Sequence, residues 1–154
     1  KAFPPAPSPA GLTPIDGEAS PIFASPPNPI PFMNDDILLL APLRAELTHD
    51  TDGMFSKMDP FVRLNVNGTS FTTAVHTDGG KKPIWNDSFA IPLVGNGSAR
   101  ISVWDWDGAN SDLVGEAEIN THSLLSHGQS QVLELKFHDK KAGLLYIQVT
   151  QLSK

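Results

Sequence analysis

Aspartate is the side chain best placed to do chemistry in this sequence, and two stretches concentrate it. Asp50 and Asp52 lie together, with Asp59 seven residues beyond Asp52. Asp105 and Asp107 repeat the arrangement, with Asp112 seven residues beyond Asp105. Both stretches carry Asp-x-Asp-Gly, as Asp50-Thr51-Asp52-Gly53 and Asp105-Trp106-Asp107-Gly108. One such tetrapeptide is ordinary turn chemistry, because aspartate bonds nearby backbone and glycine accepts positive φ. Two of them, each followed by a further aspartate, bring five or six carboxylates together if both connections lie at one end of the fold. Unit charges about 4 Å apart repel by about 4 kcal/mol at an effective dielectric near 20. Several such pairs weigh heavily against a domain stability of roughly 5–15 kcal/mol. Either some carboxylates are protonated or a cation sits among them. Oxygen-only ligands on loops suit calcium better than a transition metal.

Two other uses of carboxylates fit less well. Asp105, Asp107 and Glu116 fall at positions 1, 3 and 12 of an EF-hand loop, but glycine stands at position 4 rather than 6, and Ala109 takes position 5. A glycosidase acid and base need a sugar cleft between them, and no feature of the sequence supplies one. No nucleophile–base pair, phosphate-cradling glycine loop or cofactor motif is visible, so the chain reads as a non-enzyme. With 17 acidic against 11 basic residues and a net charge of −6, it lacks the basic footprint of a nucleic-acid binder. An acidic protein approaches an anionic membrane only if a cation reverses its sign locally. The absence of cysteine removes disulfides, zinc–thiolate sites and thiol nucleophiles, and favours a reducing compartment. The longest apolar run, 37–43, is interrupted by Pro42 and falls far short of the roughly 20 residues of a membrane span.

These loops need a scaffold, and the sequence divides in two. Ten of the fourteen prolines lie between Pro4 and Pro31. Proline removes the amide donor and fixes φ, so residues 1–35 are expected to run as an extended tail, with 36–154 as the folded domain. From Asp36 onward, short strands alternate with turn residues. Expected strands are 37–47, 61–66, 70–76, 84–93, 99–105, 113–119, 131–137 and 144–152, with Asn67-Gly68 as a hairpin turn. One helical turn is expected at 121–126. Even spacing without a long helix predicts an all-β, eight-stranded antiparallel sandwich. Trp85 and Phe89, four apart on an expected strand, share a face and fill the core.

Three motifs carry a family resemblance. Met58-Asp59-Pro60-Phe61-Val62, then Pro83-Ile84-Trp85-Asn86-Asp87-Ser88-Phe89, then Val103-Trp104-Asp105-Trp106-Asp107 leading to Asp112-Leu113-Val114-Gly115-Glu116 resemble successive signatures of C2 domains. The resemblance spans about residues 36–154 and implies a Greek-key C2 β-sandwich. It also implies a calcium site formed by Asp52, Asp59, Asp105, Asp107 and Asp112, with the backbone carbonyls of Thr51 and Trp106. The spacing departs from the family form by one residue in each loop, which brings Asp50, Asn110 and Ser111 into consideration. Met54, Phe55 and Trp106 flank the ligands and are the expected membrane contacts. The lysine-rich strand that some relatives use for phosphoinositides has no counterpart, since 70–76 lacks a basic residue.

Two functions follow. One is a calcium-binding module that attaches peripherally to anionic phospholipid membrane surfaces, calcium bridging loop carboxylates and lipid phosphates. The other is a structural or accessory interaction subunit of a larger assembly, docked on a protein partner through residues 1–35. The expected location is intracellular, in the cytoplasm or at a membrane periphery, or an organelle after removal of a targeting peptide.

Overall fold

The structure, a computed structural model, describes residues 36–51 and 57–152. The expected tail, 1–35, lies outside the described residues, as do Asp52, Met54 and Phe55. The described residues form eight antiparallel strands: β1 (Ile37–Leu47), β2 (Pro60–Val66), β3 (Thr69–Thr72), β4 (Phe89–Pro92), β5 (Ser98–Trp106), β6 (Ser111–Asn120), β7 (Ser130–Phe137) and β8 (Lys140–Leu152). Their order across the sheet is β3-β2-β5-β6-β7-β8-β1-β4. The expected all-β architecture is the one found.

The sheet doubles over between β6 and β7. Only Glu116 and Lys136 pair there, whereas the other neighbours share long ladders or complete short ones. Each half buries one face. Val62, Leu64, Val66, Ile101, Val103 and Val114 come from one, and Leu38, Leu40, Ile91, Leu135, Leu145 and Ile147 from the other. Two apolar sheet faces leave water only by packing on each other, which makes the sandwich. At the fold line Gly115 admits the second half closely: a Cβ there would stand 2.9 Å from the Ala142 Cβ and 3.0 Å from the Leu135 Cβ. The chain passes between halves at β1–β2, β3–β4, β4–β5 and β6–β7, which gives the expected Greek-key connectivity.

Two strands are shorter than the sequence suggests, and side chains explain both. β3 stops at Thr72 because the Thr73 hydroxyl replaces a backbone group in the ladder, accepting the Val62 N–H at 2.9 Å. The expected strand 84–93 reduces to an isolated Ile84–Arg44 bridge and then β4. Between them Asp87 leaves the sheet, its carboxylate accepting the Ala74 N–H at 2.6 Å. The helical turn is a 3-10 helix at Leu124–His127, slightly later than expected.

Trp85 is buried as anticipated, although it precedes β4. Its Nε1–H donates to the Pro60 carbonyl at 3.0 Å, and its backbone N–H donates to the Leu43 carbonyl at 2.9 Å. One residue, through its indole and its backbone, thus joins β1 to the start of β2. Trp85→Ala should cost about 3–5 kcal/mol of unfolding free energy. Chemical denaturation checks this, and Trp85→Phe should recover most of the loss.

Candidate functional site

The carboxylate end of the sandwich is organised by strand register. Asp105, near the end of β5, pairs with Pro60 on one side and Asp112 on the other. Residues directly opposite in an antiparallel pair present their side chains on the same face. The start of β2, the end of β5 and the start of β6 therefore meet at one place. Just below it, β6 carries a bulge: Val103 pairs with Gly115 and Trp104 with Leu113, leaving Val114 as the extra residue. A bulge re-aims the residues beside it and leaves backbone groups outside the ladder. Here the Val114 carbonyl is satisfied by the His49 Nδ1–H at 2.9 Å.

Asp105 is 1% exposed, the most enclosed of the described candidate ligands. One carboxylate oxygen accepts the Thr51 hydroxyl at 2.6 Å, and the other accepts the Asp59 backbone N–H at 2.8 Å. A buried carboxylate is tolerated when donors replace its water, and charge-assisted bonds of this kind are the stronger ones. The Asp59 carbonyl in turn accepts the Trp106 N–H at 3.0 Å. Asp59 follows Met58, which is fully buried, and precedes Pro60, whose carbonyl accepts both the Trp85 indole and the His76 N–H. Pro60 also biases Asp59 towards extended backbone. The carboxylate of Asp59 points at the β3–β4 connection, where Oδ1 accepts the Asp78 N–H at 2.7 Å.

The loop after β5 is closed by itself. Asp107 Oδ1 accepts the Asn110 N–H at 2.7 Å, and the Asp107 N–H donates to the Asn110 carbonyl at 3.0 Å. Asn110, considered above as a substitute ligand, thus also serves as the partner that shapes this turn. Asp112 is exposed, and Trp106 projects with 46% of its surface in contact with solvent. That exposure suits a side chain offered to something outside the domain.

Of the residues expected at the site, Asp59, Asp105 and Thr51 are joined by direct bonds, and Asp112 is placed beside Asp105 by register. Asp107 and Trp106 continue from the same strand end, and Asp52 lies outside the described residues. Thr51 reaches Asp105 through its side-chain hydroxyl, an interaction the sequence reading did not include. Among the described residues, no group of three or more His, Cys, Asp or Glu side chains stands close enough to hold a metal ion. N–H and O–H donors meet the carboxylates of Asp59, Asp105 and Asp107. The donor set is oxygen throughout, the chemistry of a hard cation.

Asp78 and His49 escaped the sequence reading. Asp78 is nineteen residues from Asp59, and only the turn signal Asp78-Gly79-Gly80 marks it. Among the described residues, no helix is long and apolar enough to cross a membrane. A cleft of about 560 Å³ lies at the opposite end, lined by Ile119, Leu124, Gln131 and Leu133, and no described candidate ligand lines it.

A sequence model of the C2 domain matches residues 38–136, well over half of the chain. The sequence matches none of the curated proteins compared with it. Among solved structures, the fold is similar to the C2A domain of plant extended synaptotagmin 1, with a TM-score of 0.64 and 20% identity over 79% of this chain and 99% of that one. It is also similar to the calcium-bound C2A and C2B domains of extended synaptotagmin 2, with a TM-score of 0.61 and 16% identity over 79% of this chain and 47% of that one. Human GIVD cytosolic phospholipase A2, in complex with an inhibitor and terbium chloride, gives a TM-score of 0.58 and 19% identity over 77% of this chain and 17% of that one. At these identities the likeness is one of fold.

Thr51→Val keeps the shape of the side chain and removes its hydroxyl, leaving a buried charge short of one donor. A hydrogen bond to a charged group is worth about 1.5–3 kcal/mol. The variant should lose stability in that range by urea denaturation, whereas Ser at position 51 should be close to wild type.

Proposed function

The chain belongs to the C2 domain family, and from that premise we propose that it is a calcium-binding module attaching peripherally to anionic phospholipid membranes. The observation that carries this reading is the enclosed Asp105 carboxylate at the junction of β2, β5 and β6, tied to Asp59 and Thr51. A carboxylate is kept at such a place only with donors or a cation beside it. Calcium would draw on Asp59, Asp105, Asp107 and Asp112, with Asp52 and the carbonyls of Thr51 and Trp106 completing an oxygen set. Carboxylate oxygens carry more than one lone pair, so Asp105 can keep Thr51 and Asp59 as donors while facing an ion. Bound calcium would turn a repulsive acidic end into one that attracts lipid phosphate. The relative solved with calcium bound supports the reading by analogy of fold.

A second reading remains attached to residues 1–35, whose proline content suits a recognition segment. In it, the domain is a subunit held in an assembly by that segment. A chain starting at Asn34 should then fold normally and lose a partner. A markedly lower melting midpoint would instead assign the segment to the domain's own packing.

Calcium at about 100 times its dissociation constant stabilises a one-site protein by about 2.7 kcal/mol. Melting in calcium and in chelator should therefore differ, and Asp59→Asn or Asp107→Asn should abolish the difference. Sedimentation with anionic vesicles separates the two readings. Wild type should bind only with calcium. Phe55→Ala with Trp106→Ala should weaken that binding while leaving calcium's thermal shift largely intact, because apolar side chains at a tip gain roughly 25 cal/mol per Å² on leaving water. A subunit-only role predicts no vesicle binding in either condition.

A further inference from the structure

We propose that the open seam between β6 and β7 is a docking groove for an extended peptide whose apolar residues alternate with lysine or arginine. Register gives the seam its charge. Glu116 pairs with Lys136, and the next pair in that register would set Glu118 opposite Glu134. Like charges directly opposite destabilise a ladder, and the ladder ends before that pair. Towards the 3-10 helix the strands part around the 560 Å³ cleft. Towards the β7–β8 turn a second cleft, of about 430 Å³, shares Glu118 and reaches Glu134 and Asp139.

Both walls of the seam offer backbone. Residues of an antiparallel strand turn their N–H and C=O groups alternately to one neighbour and the other. The Thr121 N–H donates to the Gly97 carbonyl at 2.8 Å, which turns Ile119 towards β5 and Glu118 away from it. The Val149 N–H donates to the Gln129 carbonyl at 2.8 Å, which turns Gln131 and Leu133 towards β8 and leaves Val132 and Glu134 facing the seam. Unpaired edge groups are a template for one more strand, whose main-chain bonds supply affinity and whose alternate side chains supply specificity. The floor is apolar, with Ile119, Leu124 and Leu133. It is also braced: the Gln131 side-chain amide donates to the Leu124 and Gly128 carbonyls at 2.6 and 2.8 Å, fixing the 3-10 helix to β7. The rim is acidic. Glu116, Glu118, Glu134 and Asp139 stand against Arg100 and Lys136, and Arg100 is already paired with Glu116 and Glu118. A strand laid along β7 sends one set of side chains onto the apolar floor and the other out beside Glu118 and Glu134. Apolar residues suit the first set and cations the second.

This contact is independent of the calcium reading, since no described candidate ligand lines either cleft. The probe is a capped peptide of about seven residues alternating valine and lysine, long enough to span β7 at about 3.3 Å per residue. Fluorescence anisotropy with the full chain at low salt should show saturable binding. Amide hydrogen exchange should locate it: the N–H groups of Glu118, Val132 and Glu134 exchange fast in the free protein and slow with peptide. Glu118→Gln/Glu134→Gln should weaken binding by up to about 25-fold, an exposed ion pair being worth up to about fivefold, and should leave calcium's thermal shift unchanged. The same peptide with every amide N-methylated keeps its charges and loses its main-chain donors. It should bind roughly 25-fold more weakly for two lost bonds, at about fivefold each, which separates strand pairing from general attraction to an acidic protein. Equal affinity of the two peptides, protection outside the seam only, or no binding at millimolar peptide overturns the proposal. Self-association of the chain without peptide binding also overturns it and assigns the seam to a second copy.

Discussion

A single enclosed carboxylate, that of Asp105, sets the terms for this end of the molecule. Its two oxygens are bound by the Thr51 hydroxyl and the Asp59 N–H, which come from either end of the β1–β2 connection. Any change that withdraws one donor leaves a charge in a poorly solvated place, at a cost comparable to a large fraction of domain stability. The connection is thereby held to β5 at both of its ends. Trp85 then extends the constraint, linking the Pro60 carbonyl to the backbone of β1. The acidic loops sit on rigid sheet, which is what a binding site on loops requires.

The second constraint is the fold line between β6 and β7. A lone residue pair joins the two halves, so their alignment depends on close packing of Gly115 against Ala142 and Leu135. The Val114 bulge next to it frees a carbonyl that His49 takes up. The same short stretch therefore turns the sheet, seats His49 and carries Asp112 to the side of Asp105. Packing and the placement of Asp112 are linked here through register, and a one-residue slip of β6 would move Asp112 to the opposite face.

Much of this was legible in the sequence, for physical reasons. β1 runs over 37–47 as expected because the apolar run begins directly after Asp36, and Asn67-Gly68 gives the hairpin its turn. Trp85 and Phe89 were recognisable as core from their size and spacing. Thr73 and Asp87 were not recognisable as strand breakers, because each acts through a side chain bound to a distant backbone group. Asp78 was invisible for a related reason: its role lies in a main-chain N–H, which any residue type supplies. The spacing of the aspartates raises the expectation of a cluster, and among the described residues no three acidic side chains stand close enough to form a metal-holding group. What spacing could not announce is that hydroxyl and amide donors already answer part of the repulsion between them.

The central claim is that these carboxylates form a calcium site, and titration calorimetry of the full chain with calcium tests it most directly. The account predicts saturable binding with a dissociation constant at or below about 1 mM, within the range of oxygen-ligand calcium sites, and loss of that binding in Asp105→Asn chain shown to be folded. Absence of saturable binding at millimolar calcium in folded wild-type protein would contradict it.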